Sequence, residues 1–294
     1  MAQTKHEIQA ILTAASMEPR HRFGQNFMID GNLVRLVADA GEIAAGDLVV
    51  EVGPGTGTLT DELLLRGAEV VAVEIDRDLA GALRERFADR PHFRLIEGDA
   101  LAGKHAVNQE LSAMLRAARV ATPQRPQKLV ANLPYNIASP LVIELLIEGL
   151  DLLVFTVQKE VGDRLRAAAG SDAYGPLTVT AQLLSQVEVL RTLPPQAFWP
   201  QPKIDSSLVR VRRQDRLGNQ AVAFGRFVHQ LFSARRKTLR KALTQAGYAA
   251  DELIARHALD GQARPETLSP EVIHELFLSS HPPSEWSPAA KSQR

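Results

Sequence analysis

Cysteine is absent from the 294 residues of the chain. Its absence excludes a disulfide framework, a thiolate zinc site and a cysteine nucleophile, and it fits a reducing compartment. Long apolar runs are also missing, because none approaches the roughly 18 residues that a membrane-spanning helix needs. Polar and charged residues such as Lys5, Glu7 and Arg20 are spread through the first 20 residues, which contain no signal-peptide core. These absences predict a cytoplasmic protein with no membrane partner.

The chain also lacks a net charge, since Lys plus Arg and Asp plus Glu each number 34. The total therefore indicates no class of partner, but the distribution of charge does. Between Lys203 and Lys241 there are eleven basic residues and only two acidic ones, Asp205 and Asp215. A local excess of this size is a candidate contact surface for a polyanion. The histidines show no metal-ligand spacing, and we expect no metal.

Apolar periodicity separates the chain into two regions. Up to about residue 158, apolar strand-like segments alternate with helical ones, the strands being DLVVEVG, EVVAVEID, HFRLIEGD, KLVANLP and LLVFTVQ. This alternation predicts an α/β domain, with a mostly parallel sheet and helices on both faces. Two later segments, VEVLRTL and SSLVRVRR, flank a proline-rich loop and predict an antiparallel pair.

After about residue 216 the pattern is helical only, with helices expected near 220–246, 250–258 and 269–279. We therefore predict a first domain over residues 1–216 and a small all-helical domain over 217–281. The remaining expectations are a flexible arm at 1–20, a surface insertion at 103–127 with a short helix near 108–118, and a disordered tail at 282–294.

Three glycines between the first strand and its helix are the strongest local signal. Gly53, Gly55 and Gly57 lie in VVEVGPGTGTLT, where missing Cβ atoms permit a tight turn and close approach of a ligand. A dinucleotide fingerprint needs a further glycine where this chain has Thr58, and Pro54 removes a backbone donor. The G-x-G-x-G spacing instead resembles the first motif of S-adenosylmethionine (SAM)-dependent methyltransferases.

Acidic residues end the next two strands. Glu74 lies 21 residues after Gly53, where a carboxylate can accept both hydroxyls of a ribose. Asp76 and Asp78 are alternatives, although they fall after the strand. Asp99 ends the third strand and could accept a hydrogen bond from an adenine amine, or it could simply cap a helix or turn.

The fourth strand ends in Asn132-Leu133-Pro134-Tyr135. Ligands of doubly wound sheets bind beyond the carboxyl ends of the strands, so this stretch would border the same pocket as Gly53 and Glu74. The Asn132 amide oxygen and the Pro134 carbonyl are acceptors that could hold an –NH₂ group. The Tyr135 ring beside them could stack on a base.

These motifs, with others further along the chain, resemble one family. RFGQNFM, EVGPGTG, VEIDRDLA, EGDAL and NLPYNIASPL occur in order, followed by QKEVGDRL, AYGPLTV, FWPQPKIDSSLVR and FSARRKTLRKAL. Together, from about residue 20 to 280, they are similar to the small-subunit ribosomal RNA adenine dimethyltransferases. The resemblance implies a Rossmann-like SAM-dependent methyltransferase that acts on 16S rRNA within the small ribosomal subunit or its precursor. A monomer is expected.

The resemblance also implies roles for individual residues. The residues implied to contact SAM are Asn26, Met28, Gly53, Gly55, Glu74, Asp99 and Asn132. The target adenine would be held by Asn132, Pro134 and Tyr135, with Phe198 and Trp199 as weaker candidates to close over it. The residues expected to contact RNA are Arg210, Arg212, Arg235, Arg236, Lys237, Arg240 and Lys241. The basic helix SARRKTLRKAL would present most of these on one face.

Three other interpretations use some of the same features. A related adenine methyltransferase acting on 23S rRNA would share the fold. A ribosome-assembly factor would depend on binding more than on catalysis, although the intact NLPY stretch and glycine loop argue against lost activity. A nicotinamide oxidoreductase is disfavoured by Thr58 and by the lack of a credible hydride-site acid or base.

Overall fold

The computed structural model describes residues 3–14, 18–19, 24–103, 106–233 and 237–281. The chain divides into two compact units, one of residues 1–162 with 188–213 and one of residues 163–187 with 214–294. The sequence predicts a single boundary at 216, so the structure differs in assigning 163–187 to the second unit. The reason is a helix in this segment, Pro176–Leu184, which is buried on almost every side and packs against the C-terminal helices.

The elements follow the alternation expected from the sequence. The strands are β1 Phe27–Met28, β2 Leu48–Val52, β3 Glu69–Glu74, β4 Phe93–Glu97, β5 Gln127–Asn132, β6 Leu152–Gln158, β7 Ser185–Leu193, β8 Phe198–Trp199 and β9 Ser206–Arg213. The helices are α1 Lys5–Ala14, α2 Gly31–Ala40, α3 Thr58–Leu65, α4 Arg77–Arg86, α5 Gln109–Ala121, α6 Ala138–Glu148, α7 Lys159–Leu165, α8 Pro176–Leu184, α9 Ala221–Ser233, α10 Leu239–Gln245, α11 Ala250–Arg256 and α12 Pro270–Ser280.

A seven-stranded sheet has the order β4-β3-β2-β5-β6-β9-β7, and β1 pairs with β8 in a separate two-stranded sheet. The neighbours from β4 to β6 pair in parallel, whereas β9 runs antiparallel to β6. This confirms the predicted Rossmann-like fold with its mostly parallel sheet, and the two segments of the expected late pair, β9 and β7, are neighbours in the sheet. The chain moves outward from β2 through β4 and then returns to place β5 on the other side of β2. The switch point therefore lies between β2 and β5, where such sheets bind their ligands.

Burial explains why these segments are strands. Every residue of β2 is buried, as are the first five of β5 and the first six of β6. Strands covered by helices on both faces read as continuous apolar runs, which is what LVVEV and LLVFTV show. Val34 of α2, Leu63 of α3 and Val130 of β5 belong to one core cluster on the sheet.

The segment expected to be a flexible arm contains a helix, so this expectation is corrected for the described residues. In α1, Ile8 and Leu12 are spaced four apart and therefore share one face. Both are buried, in a cluster with Phe27 and Leu79. The burial of this face accounts for the helix.

The predicted insertion contains a helix in the expected place, α5. Asn108 caps it, since its side chain accepts hydrogen bonds from the backbone N–H groups of Glu110 and Leu111. Leu111 and Leu115 are buried on the inner face of the helix. The insertion is therefore anchored to the first unit through an apolar stripe.

In the second unit, the predicted helix at 220–246 is wrong, because two helices take its place. α9 ends at Ser233 and α10 begins at Leu239, with residues 234–236 outside the described part of the chain. Thr238 is the N-cap of α10, and its hydroxyl accepts from the Lys241 backbone N–H. A threonine cap inside SARRKTLRKAL therefore starts a new helix. The predicted tail at 282–294 lies outside the described residues.

Within the described ranges, no helix is both long and apolar enough to cross a membrane.

Candidate active site

A cleft opens at the carboxyl ends of β2, β3 and β5 and holds about 960 Å³ of empty space, counting solvent at its mouth. Its position at the carboxyl ends of parallel strands, rather than its volume, is what marks it as a ligand site. Of the residues predicted for SAM and for the target amine, those that line the cleft are Asn26, Met28, Gly53, Gly55, Glu74, Asp99, Asn132 and Pro134. The structure therefore brings all the predicted cofactor residues into one wall. Tyr135 is not among the lining residues.

The glycine bend and the NLPY stretch are in direct contact. Gly53 has φ +70°, and a Cβ placed on it would lie 3.2 Å from Pro134 Cγ. Gly55 has φ +61°, and its Cβ would lie 2.8 Å from the ring of Phe27. A side chain at either position would meet both backbone strain and a neighbour. The bend after β2 and the end of β5 therefore form one rim.

Glu74 ends β3 beside this bend and is almost completely buried. One carboxylate oxygen accepts from the Gly55 backbone N–H at 3.2 Å, and the other from the Asp76 N–H at 2.9 Å. Burial raises the pKa of Glu74 to about 7, although these two hydrogen bonds oppose the rise. Each oxygen retains a lone pair that could accept a ligand hydroxyl.

Glu51 is a second buried acid of the cleft, and it was missed by the sequence reasoning. It lies in β2, is 2 % exposed, and accepts a 2.6 Å hydrogen bond from the Thr60 hydroxyl. Burial raises its pKa to about 8. The available signal was a charged residue inside the otherwise apolar strand LVVEV. Two buried carboxyls give the cleft an affinity for positive charge once they ionise.

Asp99 lies two residues beyond the end of β4, rather than at the strand end, and is exposed. Its carboxylate accepts from the Leu101 backbone N–H at 3.0 Å. Its carbonyl accepts from the Asn108 side chain at 2.8 Å. The start of the insertion therefore braces the loop that presents Asp99 to the cleft.

Asn26 and Met28 reach the cleft from the segment before α2. β1 pairs with β8, so Phe27 faces Trp199 and Met28 faces Phe198. The ring centroids of Phe27 and Trp199 are 6.3 Å apart in a stacked arrangement. Phe198 is 1 % exposed and lies in the core, whereas Trp199 is partly buried against the α1 cluster. These contacts fix the segment against the rest of the first unit.

The Asn132 amide is held at both of its heteroatoms. Its Nδ2 donates to the backbone carbonyl of Asn26 at 2.6 Å. Its Oδ1 accepts a hydrogen bond from the hydroxyl of Thr156, which is completely buried in β6. Thr156 was not singled out from the sequence, although it is the only hydroxyl in the apolar strand LLVFTVQ. The amide oxygen keeps one lone pair for a ligand.

Pro134 and Tyr135 follow on the same turn. The Pro134 carbonyl accepts from the Ile137 N–H at 3.2 Å, which uses one of its two lone pairs. The Tyr135 hydroxyl lies 2.7 Å from Ser206 Oγ, and burial raises the pKa of the phenol. Tyr135 is thus anchored to β9.

Gln3 contacts the glycine bend and is a further residue that the sequence reasoning missed. It is 6 % exposed, and its amide nitrogen donates to the Thr56 carbonyl at 3.2 Å. Its amide oxygen accepts from the hydroxyls of Thr56 and Thr58, each at 2.6 Å. No local sequence pattern links residues so distant along the chain.

The basic residues predicted to contact RNA differ in whether their charge is paired within the protein. Arg210 pairs with Glu188 at 2.6 Å and with Glu42 at 3.2 Å, and Arg212 pairs with Glu42 at 2.7 Å. In the pairing of β9 with β6, Arg212 lies beside Leu152. Leu152 begins β6, whereas Asn132 pairs with Thr156 near its other end, so Arg212 and Asn132 lie at opposite ends of the strands. Both guanidinium charges are therefore largely compensated within the protein.

The other predicted basic residues belong to the second unit. Arg235 and Arg236 lie outside the described residues. Arg240 pairs with Asp251. Lys237 and Lys241 are exposed, and no described residue forms an ion pair with them. Lys237 precedes α10, so the expected continuous basic helix is wrong in this region.

No group of three or more His, Cys, Asp or Glu side chains in the described part of the chain is arranged to hold a metal ion. The expectation that no metal takes part stays a prediction.

The sheet order, the glycine bend at its switch point and the acid at the end of β3 define a Rossmann-like SAM-dependent methyltransferase. The chain belongs to the ribosomal RNA adenine dimethylase family, whose model matches residues 17–281. The family resemblance found in the sequence is thereby confirmed.

Named relatives cover nearly the whole chain. A ribosomal RNA small subunit methyltransferase A of Hahella chejuensis is 42% identical over 90% of this chain and 94% of its own length. One of Moorella thermoacetica is 38% identical over 89% of this chain and 92% of its own.

Solved structures show the same fold. The 23S rRNA methyltransferase ErmE is similar with a TM-score of 0.61 and 25% identity, over 87% of this chain and 99% of that one. A dimethyladenosine transferase from Plasmodium falciparum has a TM-score of 0.65 and 22% identity, over 86% and 96% of the two chains.

Proposed function

We propose that this protein transfers methyl groups from SAM to the exocyclic amines of two adjacent adenosines. The substrate is a hairpin loop near the 3′ end of 16S rRNA, and the reaction accompanies small-subunit maturation in the cytoplasm. The names of the relatives support the small-subunit substrate. The observation that carries the chemistry is the contact between the Gly53 bend and Pro134, which joins the methyl-donor side of the rim to the amine side.

The cleft fits SAM through its shape and its charge. Gly53 and Gly55 leave room for close approach to the bend. Glu74 can accept ribose hydroxyls with its free lone pairs, and Asp99 can accept from the adenine amine. Asn26 and Met28 line the same cleft. SAM supplies an electrophilic methyl group on a sulfonium, and the buried carboxylates offer that positive charge a favourable environment.

The residues of NLPY orient the target amine. The lone pair of an adenine amine is delocalised into the ring, so the nitrogen is a poor nucleophile. Hydrogen bonds from its two N–H groups to Asn132 Oδ1 and the Pro134 carbonyl favour a more pyramidal nitrogen. They also align it with the methyl group, and such alignment of two bound reactants lowers the barrier to the reaction between them. No dedicated base is needed, because the ammonium product readily loses its proton to water.

The adenine must leave its stack before it can reach this rim. Flipping costs a few kcal/mol and costs less in a loop than in a duplex. The Tyr135 ring, held at its hydroxyl by Ser206, can offset part of that cost by stacking on the base.

Basic residues of both units are proposed to contact RNA phosphates. Lys237 and Lys241 have no ion-pair partner among the described residues, so their charge is available to a polyanion. Arg235 and Arg236 lie outside the described residues, and they are included in this proposal because the sequence places them in the same basic segment. Arg210, Arg212 and Arg240 would have to exchange an internal partner for a phosphate. Such contacts position RNA without selecting its sequence. The protein is proposed to act as a monomer.

The Asn132→Ala variant tests the proposed function. It removes the acceptor for the target amine while leaving the basic residues unchanged. Methyl transfer to small subunits that lack the modification should be abolished, while binding to those particles stays close to that of the wild type. Unchanged methylation would contradict the assignment of the rim. Transfer to 23S rRNA in preference to 16S would instead identify the large-subunit substrate.

A further inference from the structure

Thr156 forms the contact that completes the arrangement of the Asn132 amide. The two residues lie side by side in the register of β5 and β6. The Thr156 hydroxyl donates to Asn132 Oδ1, and the Asn26 carbonyl accepts from Nδ2. Thr156 is completely buried, and its β-branched side chain has little rotational freedom in a strand. The hydroxyl is therefore a fixed donor rather than a mobile one.

We propose that Thr156 is a positioning residue that holds the Asn132 amide in the orientation needed to accept the target amine. This inference rests on the proposed role of Asn132. Thr156 itself does not line the cleft, so it acts through Asn132 and not on a substrate.

The physical reason lies in the two ends of the amide. The Asn26 carbonyl can only accept, so it selects the orientation in which Nδ2 faces it. It contacts one end of the amide and leaves rotation of the group about that contact open. The Thr156 hydroxyl contacts the other end and fixes the amide plane. One lone pair of Oδ1 is used by this bond, and the other points to the remaining partner, the amine.

The orientation of the Asn132 amide affects both of the methyl transfers that dimethylation requires. The first transfer uses an amine with two N–H groups, whereas the second uses a methylated amine with one. If the Asn132 amide can rotate, it is less often oriented to accept from the one N–H that remains on the methylated amine. Loss of the Thr156 hydroxyl should therefore slow the second transfer more than the first, and monomethylated adenosine should accumulate.

The experiment compares Thr156→Val, which keeps the shape and removes the hydroxyl, with Thr156→Ser, which keeps the hydroxyl. Thr180→Val is the matched control, since Thr180 is a buried threonine of α8 in the other unit. The readouts are kcat and KM with unmethylated small subunits, the dissociation constant of SAM, and the ratio of monomethyl to dimethyl product.

Thr156→Val should lower kcat about tenfold and raise the monomethyl fraction, with the SAM dissociation constant unchanged within about twofold. Thr156→Ser and Thr180→Val should behave as the wild type. A wild-type kcat and product ratio for Thr156→Val would overturn the inference, as would an equal loss in Thr156→Ser. If Thr156→Val does not fold, Thr156→Ala takes its place against Thr156→Ser. An active Asn132→Ala variant would instead show that the proposed function has failed.

Discussion

The phenol oxygen of Tyr135 lies 2.7 Å from the hydroxyl oxygen of Ser206, a residue 71 positions further along the chain. Ser206 is completely buried at the start of β9, opposite Gln158 of β6. The strand that runs antiparallel in an otherwise parallel region of the sheet therefore anchors the aromatic ring of NLPY. Two motifs that the sequence shows separately, NLPY and PKIDS, meet at this hydrogen bond.

Tyr135 variants separate stacking from anchoring. Tyr135→Phe keeps the ring and loses the hydrogen bond, so kcat/KM should fall by no more than about fivefold. Tyr135→Ala also loses the stacking surface, and kcat/KM should fall about 10- to 100-fold. The comparison is made by single-turnover methylation of small subunits. Equal losses in the two variants would show that the ring does not stack on the base.

The two buried acids of the cleft predict that SAM binding depends on pH. The pKa of Glu51 is about 8 and that of Glu74 about 7, so both are largely protonated below about pH 6. As pH rises through this window the carboxylates become charged, and the cationic sulfonium is attracted more strongly. The SAM dissociation constant should fall about tenfold between about pH 6 and pH 9.

S-adenosylhomocysteine, which lacks the sulfonium, should show a smaller change, and Glu51→Gln should reduce the dependence for SAM. Calorimetry in buffers of different ionisation enthalpy should also detect proton release on SAM binding. A dissociation constant of SAM that is independent of pH would contradict the prediction.

Glu51 also affects the stability of the folded protein. Its ionisation, which favours SAM binding, is unfavourable for folding. The pKa of Glu51 is raised on folding from 4.5 to about 8, so the folded protein binds the proton more tightly than the unfolded chain. The stability associated with the protonated form is fully present below about pH 4.5 and is lost as pH rises through about 8. Glu51→Gln should therefore raise the melting temperature of the ligand-free protein more at about pH 9 than at about pH 6.

Gln3 is expected to stabilise the glycine bend. Gln3→Ala removes three hydrogen bonds to Thr56 and Thr58. It should lower the free energy of unfolding by about 1–3 kcal/mol and weaken SAM binding. Lys5→Ala, a change at an exposed position of α1, is the control and should leave both quantities unchanged. The measurements are chemical denaturation and SAM titration. If Gln3→Ala matches Lys5→Ala in both, the contact has no role in holding the bend.

The ion pairs of the basic residues predict unequal contributions to RNA binding. A Lys237→Ala/Lys241→Ala variant should weaken particle binding and reduce the slope of log K against log salt by about 2. Arg210→Ala should change that slope less, because its charge is already compensated by Glu188 and Glu42. Arg256→Ala is the control, an exposed arginine paired with Glu252. A slope unaltered in the lysine variant would show that these residues are ordinary solvated surface.

The sequence predicted the fold and much of the rim because both depend on local patterns. Alternating apolar runs, three glycines after β2 and a polar exit from β5 indicate a doubly wound sheet and its ligand edge. The parallel topology then places Gly53, Glu74 and Asn132 at the same edge.

What could not be predicted depends on long-range contacts. Gln3 reaches Thr56 and Thr58 across more than 50 residues. Thr156 meets Asn132 only because β6 lies beside β5. Arg210 pairs with Glu42 and Glu188, which are far from it and from each other along the chain. The number of basic residues in the sequence therefore exceeds the number whose charge is unpaired. The break before α10 depends on the Thr238 cap, which lies within a run of basic residues that otherwise has the spacing of one continuous helix.

The bend at Gly53 and the amide of Asn132 are proposed to serve one transfer reaction on adenine. This proposal is tested most directly by labelled methyl transfer from SAM to small subunits lacking the modification, with nucleoside analysis of the 16S rRNA and mapping of the labelled positions. The wild-type protein should form N6,N6-dimethyladenosine at two adjacent positions of one hairpin loop, and Asn132→Ala should form none. Label in any other nucleoside, or dimethyladenosine formed by Asn132→Ala at the wild-type rate, would contradict the proposal.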